Sequence, residues 1–226
     1  MRIDILTIFP ELFDSWLKAS IIRNAREKDK LHINLVDLKK FSGRKDGRID
    51  DRPFGGGPGM LFKPEVVINA LESIDQWQNA KKIHLSPSGQ PWTQTLAQQS
   101  SEATHLIFLC SRYEGVDQRA LDMGSFEDIS LGDYVSMGGE APAMVMIESI
   151  TRLIPGVLGH EFSAFEDSFS PGRKGLLDCP HYTRPENFRE NHVPEVLLTG
   201  NHQKIKEWRE TMAYQRSVDR RKDLLK

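Results

Sequence analysis

Cysteine is scarce: the 226-residue chain has two, Cys110 and Cys179, far apart and outside any CxxC or Cys/His spacing. That excludes a disulfide scaffold and a zinc knuckle and points to a reducing, cytoplasmic setting. Long apolar runs are also missing. None approaches the roughly 20 residues that cross a bilayer, and Asp4 and Glu11 interrupt an N-terminal stretch, MRIDILTIFPELF, that is too short for a signal peptide. The chain therefore reads as soluble and unprocessed, with no membrane partner. Neither a G-x-x-x-x-G-K-[ST] loop nor a G-x-G-x-x-G turn after the first strand occurs, which argues against a P-loop hydrolase and a Rossmann dinucleotide site. A G-x-S-x-G elbow is absent too. The seven histidines show no paired metal spacing, so His84, in an apolar run, and His181 read as structural and no metal ligands are assigned.

What is present suffices for a packed core. Hydrophobic residues make up 38%, with 11 Phe and 4 Trp, too many for a disordered chain. The net charge of −2 hides a division. Residues 1–170 carry 18 Lys+Arg and 24 Asp+Glu, whereas residues 171–226 carry 12 and 8. A cationic tail suits a phosphate-bearing partner or is simply a solvated face.

Short apolar runs alternate with helix-length stretches: RIDILTIF then 10–28, LHINLVDL then a glycine-rich loop, KKIHLS then 93–102, HLIFLC then 117–123, and DISLG. This predicts an α/β fold with a mainly parallel sheet covered on both faces. Ala143, Ile147, Ile150 and Ile154 share one face of a helix predicted over 140–154 and stopped by Pro155. Residues 155–183 lack a period and read as irregular linker. Asn201 to about Leu225 reads as a basic helix with Ile205, Trp208, Met212 and Gln215 on its stripe.

Three loops follow apolar runs directly: LSPSGQPW (85–92), SRYEGVD (111–117) and SLGDYVSMGGEAP (130–142). Loops beyond the carboxyl ends of parallel strands are where α/β enzymes keep their ligands, although strand-to-helix turns are rich in Gly, Ser and Asp for local reasons alone. A fourth loop, DDRPFGGGPGM (50–60), offers exposed amides to a flat or anionic partner or serves as a flexible lid. Arg152, at the end of an apolar helix, and Asp167, beside Glu166, are charges that stand out; adjacent carboxylates near aromatic residues can raise a pKa enough to make a base.

These motifs, with RLIPGVLG, EDSF, GLLDCPHYTRP and LLTGNH, occur in an order that resembles the bacterial tRNA (guanine-37-N1)-methyltransferases, from the first strand to the last helix. That family belongs to the SPOUT class, whose sheet ends in a deep trefoil knot that binds S-adenosylmethionine. The resemblance implies a knotted, cofactor-binding α/β domain over 1–160, an interdomain linker over 161–175 and a small basic helical tRNA-binding domain over 176–226. It implies a cofactor cradle of Leu85, Ser86, Pro87, Ser111, Tyr113, Glu114, Ser130, Leu131, Gly132, Asp133, Tyr134, Val135, Ser136, Gly138, Gly139 and Pro142. It assigns the general base to Asp167 and charge stabilisation at guanine O6 to Arg152. A homodimer with its active site between subunits, the tRNA anticodon stem-loop as partner, Mg2+ as a further ion and a part in reading-frame maintenance follow by the same similarity. One departure is Ser111, where the family usually has Gly. The residues themselves leave open a non-catalytic RNA-binding module and a methyltransferase acting on another RNA position.

Overall fold

The segment RIDILT places Ile3 and Ile5 on one side and Leu6 on the other, and it forms β1 (Arg2–Thr7), an interior strand of the sheet in which all three are fully buried. Two-sided burial is what a strand inside a helix-covered parallel sheet requires. The computed structural model describes residues 1–43, 45–159 and 166–225, and it separates into two units, Met1–Leu158 and Gly159–Lys226. The first unit continues with α1 (Ser20–Glu27), β2 (His32–Asp37), a short β3 (Asp50–Asp51) and β4 (Leu61–Phe62), and α2 (Pro64–Glu72). Then come β5 (Lys81–Pro91), α3 (Gln94–Ser101), β6 (His105–Leu109), α4 (Gln118–Gly124), β7 (Glu127–Ser130) and α5 (Glu140–Thr151).

The main sheet runs β2-β1-β6-β5-β7 with every pairing parallel, as the alternation of strands and helices predicts. Side chains of successive residues enter opposite layers. Ile3, Ile5, Leu106 and Phe108 join Ile22, Ala25, Ala143, Met146, Ile147 and Ile150 of α1 and α5 in one core. Leu6, Ile107 and Leu109 join Val66, Val67, Ala70, Leu71, Ala120 and Leu121 of α2 and α4 in the other. Asp4 is fully buried among these apolar residues and is satisfied by His105 Nε2 at 2.7 Å, Asn34 Nδ2 at 2.8 Å and Arg2 Nε at 2.8 Å. Cys110 is buried too, and burial, aided by the charge of Glu140, pushes its thiol pKa well up.

Several sequence expectations need correction. Residues 10–28 are not one helix: two 3-10 turns, Pro10–Phe13 and Trp16–Lys18, precede α1, and Ser20 at φ +40° is a conformation that a continuous helix cannot contain. The stretch between β2 and β5 is more than a glycine-rich loop. It contains α2, signalled by Pro64 at the first turn and by Val66, Val67, Ala70 and Leu71 on one face. LSPSGQPW is not a loop beyond a strand end, because β5 runs on to Pro91 with a bulge inside it. The helix predicted to reach Ile154 ends at Thr151, and Arg152 caps it.

In the second unit a two-strand ribbon, β8 (Asn187–Phe188) with β9 (Asn191–His192), precedes α6 (His202–Arg220), which the Asn201 side chain caps by accepting from Lys204 N. Ile205, Trp208 and Met212 are half-buried as expected, but Gln215 is exposed and the stripe passes instead through buried Ala213 and Ser217. The reason is a hydrogen bond: Ser217 Oγ accepts from Leu177 N at 3.0 Å, so this polar side chain is satisfied inside. Of the linker predicted at 161–175, residues 161–165 lie outside the described residues, and the remainder makes turns with one 3-10 segment, Pro171–Arg173.

Replacing Phe108, which is fully buried between β6 and the α1/α5 layer, with Ala is expected to cost about 3–5 kcal/mol in denaturant unfolding. Leu12→Ala, at a 48% exposed side chain, should change stability by less than about 0.5 kcal/mol.

Candidate ligand cavity at the carboxyl ends of the strands

Three chain segments, the bulge in β5 and the stretches that follow the neighbouring strands β6 and β7, enclose a cavity of about 400 Å3. The first wall is the bulge in β5. Leu85 pairs with Ile129 of β7, and Gln90 pairs with Ile129 again, so the residues between them are pushed out of the ladder. Ser86, Pro87 and Ser88 thereby reach the cavity. Gly89 returns the chain to the sheet, and a Cβ there would lie 2.4 Å from the Asp128 carbonyl carbon.

The second wall, Ser111–Val116, leaves β6 with Tyr113 at φ +60° and Gly115 at φ +111°. Backbone bonds from the second short sheet hold it there. Glu114 N donates to Met60 O, Phe62 N donates to Gly115 O, and Asp117 N donates to Phe62 O, each at 3.0 Å. The glycine-rich loop is drawn alongside: a Cβ on Gly59 would lie 2.4 Å from the Glu114 side chain.

The third wall, Ser130–Pro142, closes against the second. Gly139 N donates to Ser111 O at 3.0 Å, and a Cβ on Gly139 would lie 2.8 Å from Cys110 Cα. Just beyond, Glu140 is 2% exposed and accepts from Thr7 Oγ1 at 2.9 Å and from Arg112 Nε and Nη2 at 3.1 Å. Arg112 also stacks on the Phe9 ring, 4.5 Å from its centroid. Both charges of this pair, one buried and one partly exposed, are thus compensated. Tyr134, Val135 and Met137 are exposed.

Under the floor runs a polar chain. His84 Nδ1 lies 2.9 Å from Asp128 Oδ1 and its Nε2 lies 2.9 Å from Ser111 Oγ. Burial pushes the His84 pKa below its ordinary value, while the Asp128 hydrogen bond and charge oppose that shift. Among the lining residues Glu114 and Asp128 are acidic, and the one guanidinium, Arg112, is already engaged by Glu140. The cavity is therefore suited to a ligand that carries positive charge.

Of the sixteen residues expected in the cradle, fifteen line this cavity, and Asp133 is not among the lining residues. Arg152 is half-buried at the other end of α5 from Pro142, about 15 Å along the axis at 1.5 Å per residue. Asp167 belongs to the second unit, where its carbonyl accepts from Ser170 N. The sequence reading did not select Arg112, Glu140 or Asp128, and it took His84 as structural. The signal for Arg112 and Glu140 lay inside quoted motifs, whereas the spacing of His84, Ser111 and Asp128 along the chain gives no hint of their meeting.

An open parallel sheet with ligand-facing segments at the carboxyl ends of neighbouring strands defines the α/β class of ligand-binding enzymes. Within that class the sequence is specific. Residues 1–226 match the profile of the family described as tRNA (Guanine-1)-methyltransferase TrmD, a SPOUT methyltransferase family, and the chain belongs to it. Similar relatives include proteins named tRNA (guanine-N(1)-)-methyltransferase. One from Carboxydothermus hydrogenoformans is 49% identical over 226 residues, all of this chain and 88% of the relative. One from Staphylococcus epidermidis is 47% identical over 225 residues, 100% of this chain and 91% of the relative. One from Moorella thermoacetica is 47% identical over 228 residues, covering 100% and 90%.

Glu140→Ala leaves the partly exposed Arg112 guanidinium without its carboxylate and the buried Thr7 hydroxyl without its acceptor, and is expected to cost about 1–3 kcal/mol by chemical denaturation. For His84 the sign follows from linkage: the unfolded chain takes up a proton near 6.5 that the folded chain resists, so this group removes stability as pH falls below 6.5. Unfolding free energies between pH 7.5 and 5.5 should fall less steeply for His84→Gln than for the parent chain.

Proposed function

We propose that this chain transfers a methyl group from S-adenosylmethionine to N1 of guanosine 37 of tRNA, in the cytoplasm and as a homodimer. The observation that carries the reading is the cavity at the ends of β5, β6 and β7, in a chain whose whole length matches the methyltransferase family. At about 400 Å3 it falls in the range of small-molecule sites, and its acidic balance fits a sulfonium-bearing ligand. The cradle is then the fifteen lining residues, with the chain of the third wall passing through the trefoil knot typical of the class. Among the described residues no helix is long and apolar enough to cross a membrane.

When bound, S-adenosylmethionine supplies an electrophilic methyl carbon on a positively charged sulfur. The protein's part begins with the proton on guanine N1, which must leave before the nitrogen lone pair can attack. Asp167 accepts that proton. Arg152 stabilises the negative charge that builds on O6 at the same moment. Leu85, Leu131 and Pro142 exclude water, and Ser86–Ser88 fix the ligand's orientation. Since Arg152 and the cavity stand at opposite ends of one helix, pairing the cavity of one copy with residues of a second brings the parts together, and the exposed Val135, Met137 and Phe54 offer apolar surface for that second copy. The basic α6, with Lys204, Lys206, Arg209, Arg216 and Arg220, meets the anticodon stem-loop phosphates while the base is flipped toward the cavity. A modified guanosine at 37 guards the reading frame.

Mg2+ finds no support. Among the described residues the group of potential metal ligands is Asp178, Cys179 and His181, with ligand atoms within 4.8 Å. A thiol and an imidazole are poor donors to a hard cation, and Asp178 is already paired with Arg173 and His181 at 2.8 and 2.7 Å.

Labelled S-adenosylmethionine incubated with bulk tRNA should place label at N1 of G37 alone, as read by nucleotide mapping. Asp167→Ala and Arg152→Ala should each lower turnover by about 10²–10³ while cofactor affinity stays near that of the parent. Loss of cofactor binding in either variant would count against these roles.

A further inference from the structure

Ser111 is the junction of all three cavity walls. Its carbonyl accepts from Gly139 N of the third wall, and its hydroxyl meets His84 of β5, which in turn meets Asp128 of β7. The direction of this chain follows from its members. A carboxylate only accepts, so the hydrogen between Asp128 and His84 sits on Nδ1. A neutral imidazole with Nδ1 protonated has a lone pair on Nε2, and that lone pair accepts from the Ser111 hydroxyl. Burial favours this neutral form. The Ser111 hydrogen is thereby committed to His84, and among the described residues no donor is directed at the Ser111 oxygen. That residue is 8% exposed, and it lines the cavity.

We infer that Asp128 and His84 are positioning residues that lock the Ser111 hydroxyl as a hydrogen-bond acceptor toward the cavity, where it selects an amino or hydroxyl donor of the bound ligand. Without His84 the hydroxyl would rotate freely and present its hydrogen as readily as its lone pairs. With it, a ligand bearing an acceptor at this point meets oxygen against oxygen, which is a penalty and so a source of specificity. The inference rests on the proposed cofactor reading of the cavity.

The test is calorimetric binding of S-adenosylmethionine and S-adenosylhomocysteine to the full chain and to Ser111→Ala, His84→Phe, His84→Gln and the Ser111→Ala/His84→Phe double variant, with thermal unfolding to confirm that each is folded. Both ligands carry the same adenine amino, ribose hydroxyl and α-amino donors and differ at sulfur. Ser111→Ala should weaken both ligands by roughly three- to tenfold, the worth of one neutral hydrogen bond, and His84→Phe by less, because the freed hydroxyl can still turn a lone pair to the ligand. The double variant should be no weaker than Ser111→Ala alone, because His84 acts only through that hydroxyl. His84→Gln, whose side-chain oxygen can still accept from the Ser111 hydroxyl, should recover most of the loss. Unchanged affinity in folded Ser111→Ala, additive losses in the double variant, or a loss confined to the sulfonium form would each overturn the inference while leaving the cofactor reading intact. A parent chain that binds neither ligand would overturn both.

Discussion

Backbone meets backbone at the carboxyl ends of the strands, and the rest of the cavity depends on that close approach. Gly89 lies so near the Asp128 carbonyl, and Gly139 so near Cys110, that a methyl group at either place would fall inside contact distance. A side chain there would push β5 from β7, or the third wall from the second. The glycines matter less for flexibility than for thickness: they let three walls converge within hydrogen-bond reach, so that Gly139 N can find Ser111 O. Cys110 is fully buried beside the second of these approaches, where burial and the charge of Glu140 push its thiol pKa well up.

Two buried carboxylates mark opposite ends of the sheet and do different work. Asp4, on β1, is tied to Arg2, Asn34 and His105, near the beginnings of three neighbouring strands. Glu140 ties the end of β1, through Thr7, to the segment after β6, through Arg112. The second tie fixes the start of α5 against the cavity wall and at the same time neutralises the one guanidinium in the lining. An acidic cavity in a chain with a cationic tail is thus produced by pairing, and the overall net charge conceals both.

Much of this fold was legible because burial imposes periods on sequence. RIDILT, HLIFLC and DISLG became strands where the alternation put them, and the α5 face of Ala143, Ile147 and Ile150 is buried. Misreadings arose where local chemistry overrode the period. Glycines on one side of α2 masked a nine-residue helix, and Ser217 went inside in place of Gln215 because a backbone amide was waiting for its hydroxyl. The bulge in β5 was unreadable for another reason: whether Ser-Pro-Ser-Gly lies beyond a strand or inside one is decided by the neighbour, Ile129, that the chain meets twice. Of the cavity, the loops were legible and the polar chain beneath them was not, since Asp128, His84 and Ser111 come together only through strand order.

The helix α5 starts at the cavity and ends at Arg152, with a buried face held between the sheet and its neighbours. It acts as a ruler whose graduations are residues. Deleting or inserting one would advance the far end by about 1.5 Å and swing it by about 100°, turning the guanidinium toward a different quarter of the molecule. The place of that guanidinium is therefore set by the number of residues in the rod, whereas exchanging side chains along it leaves the spacing unchanged.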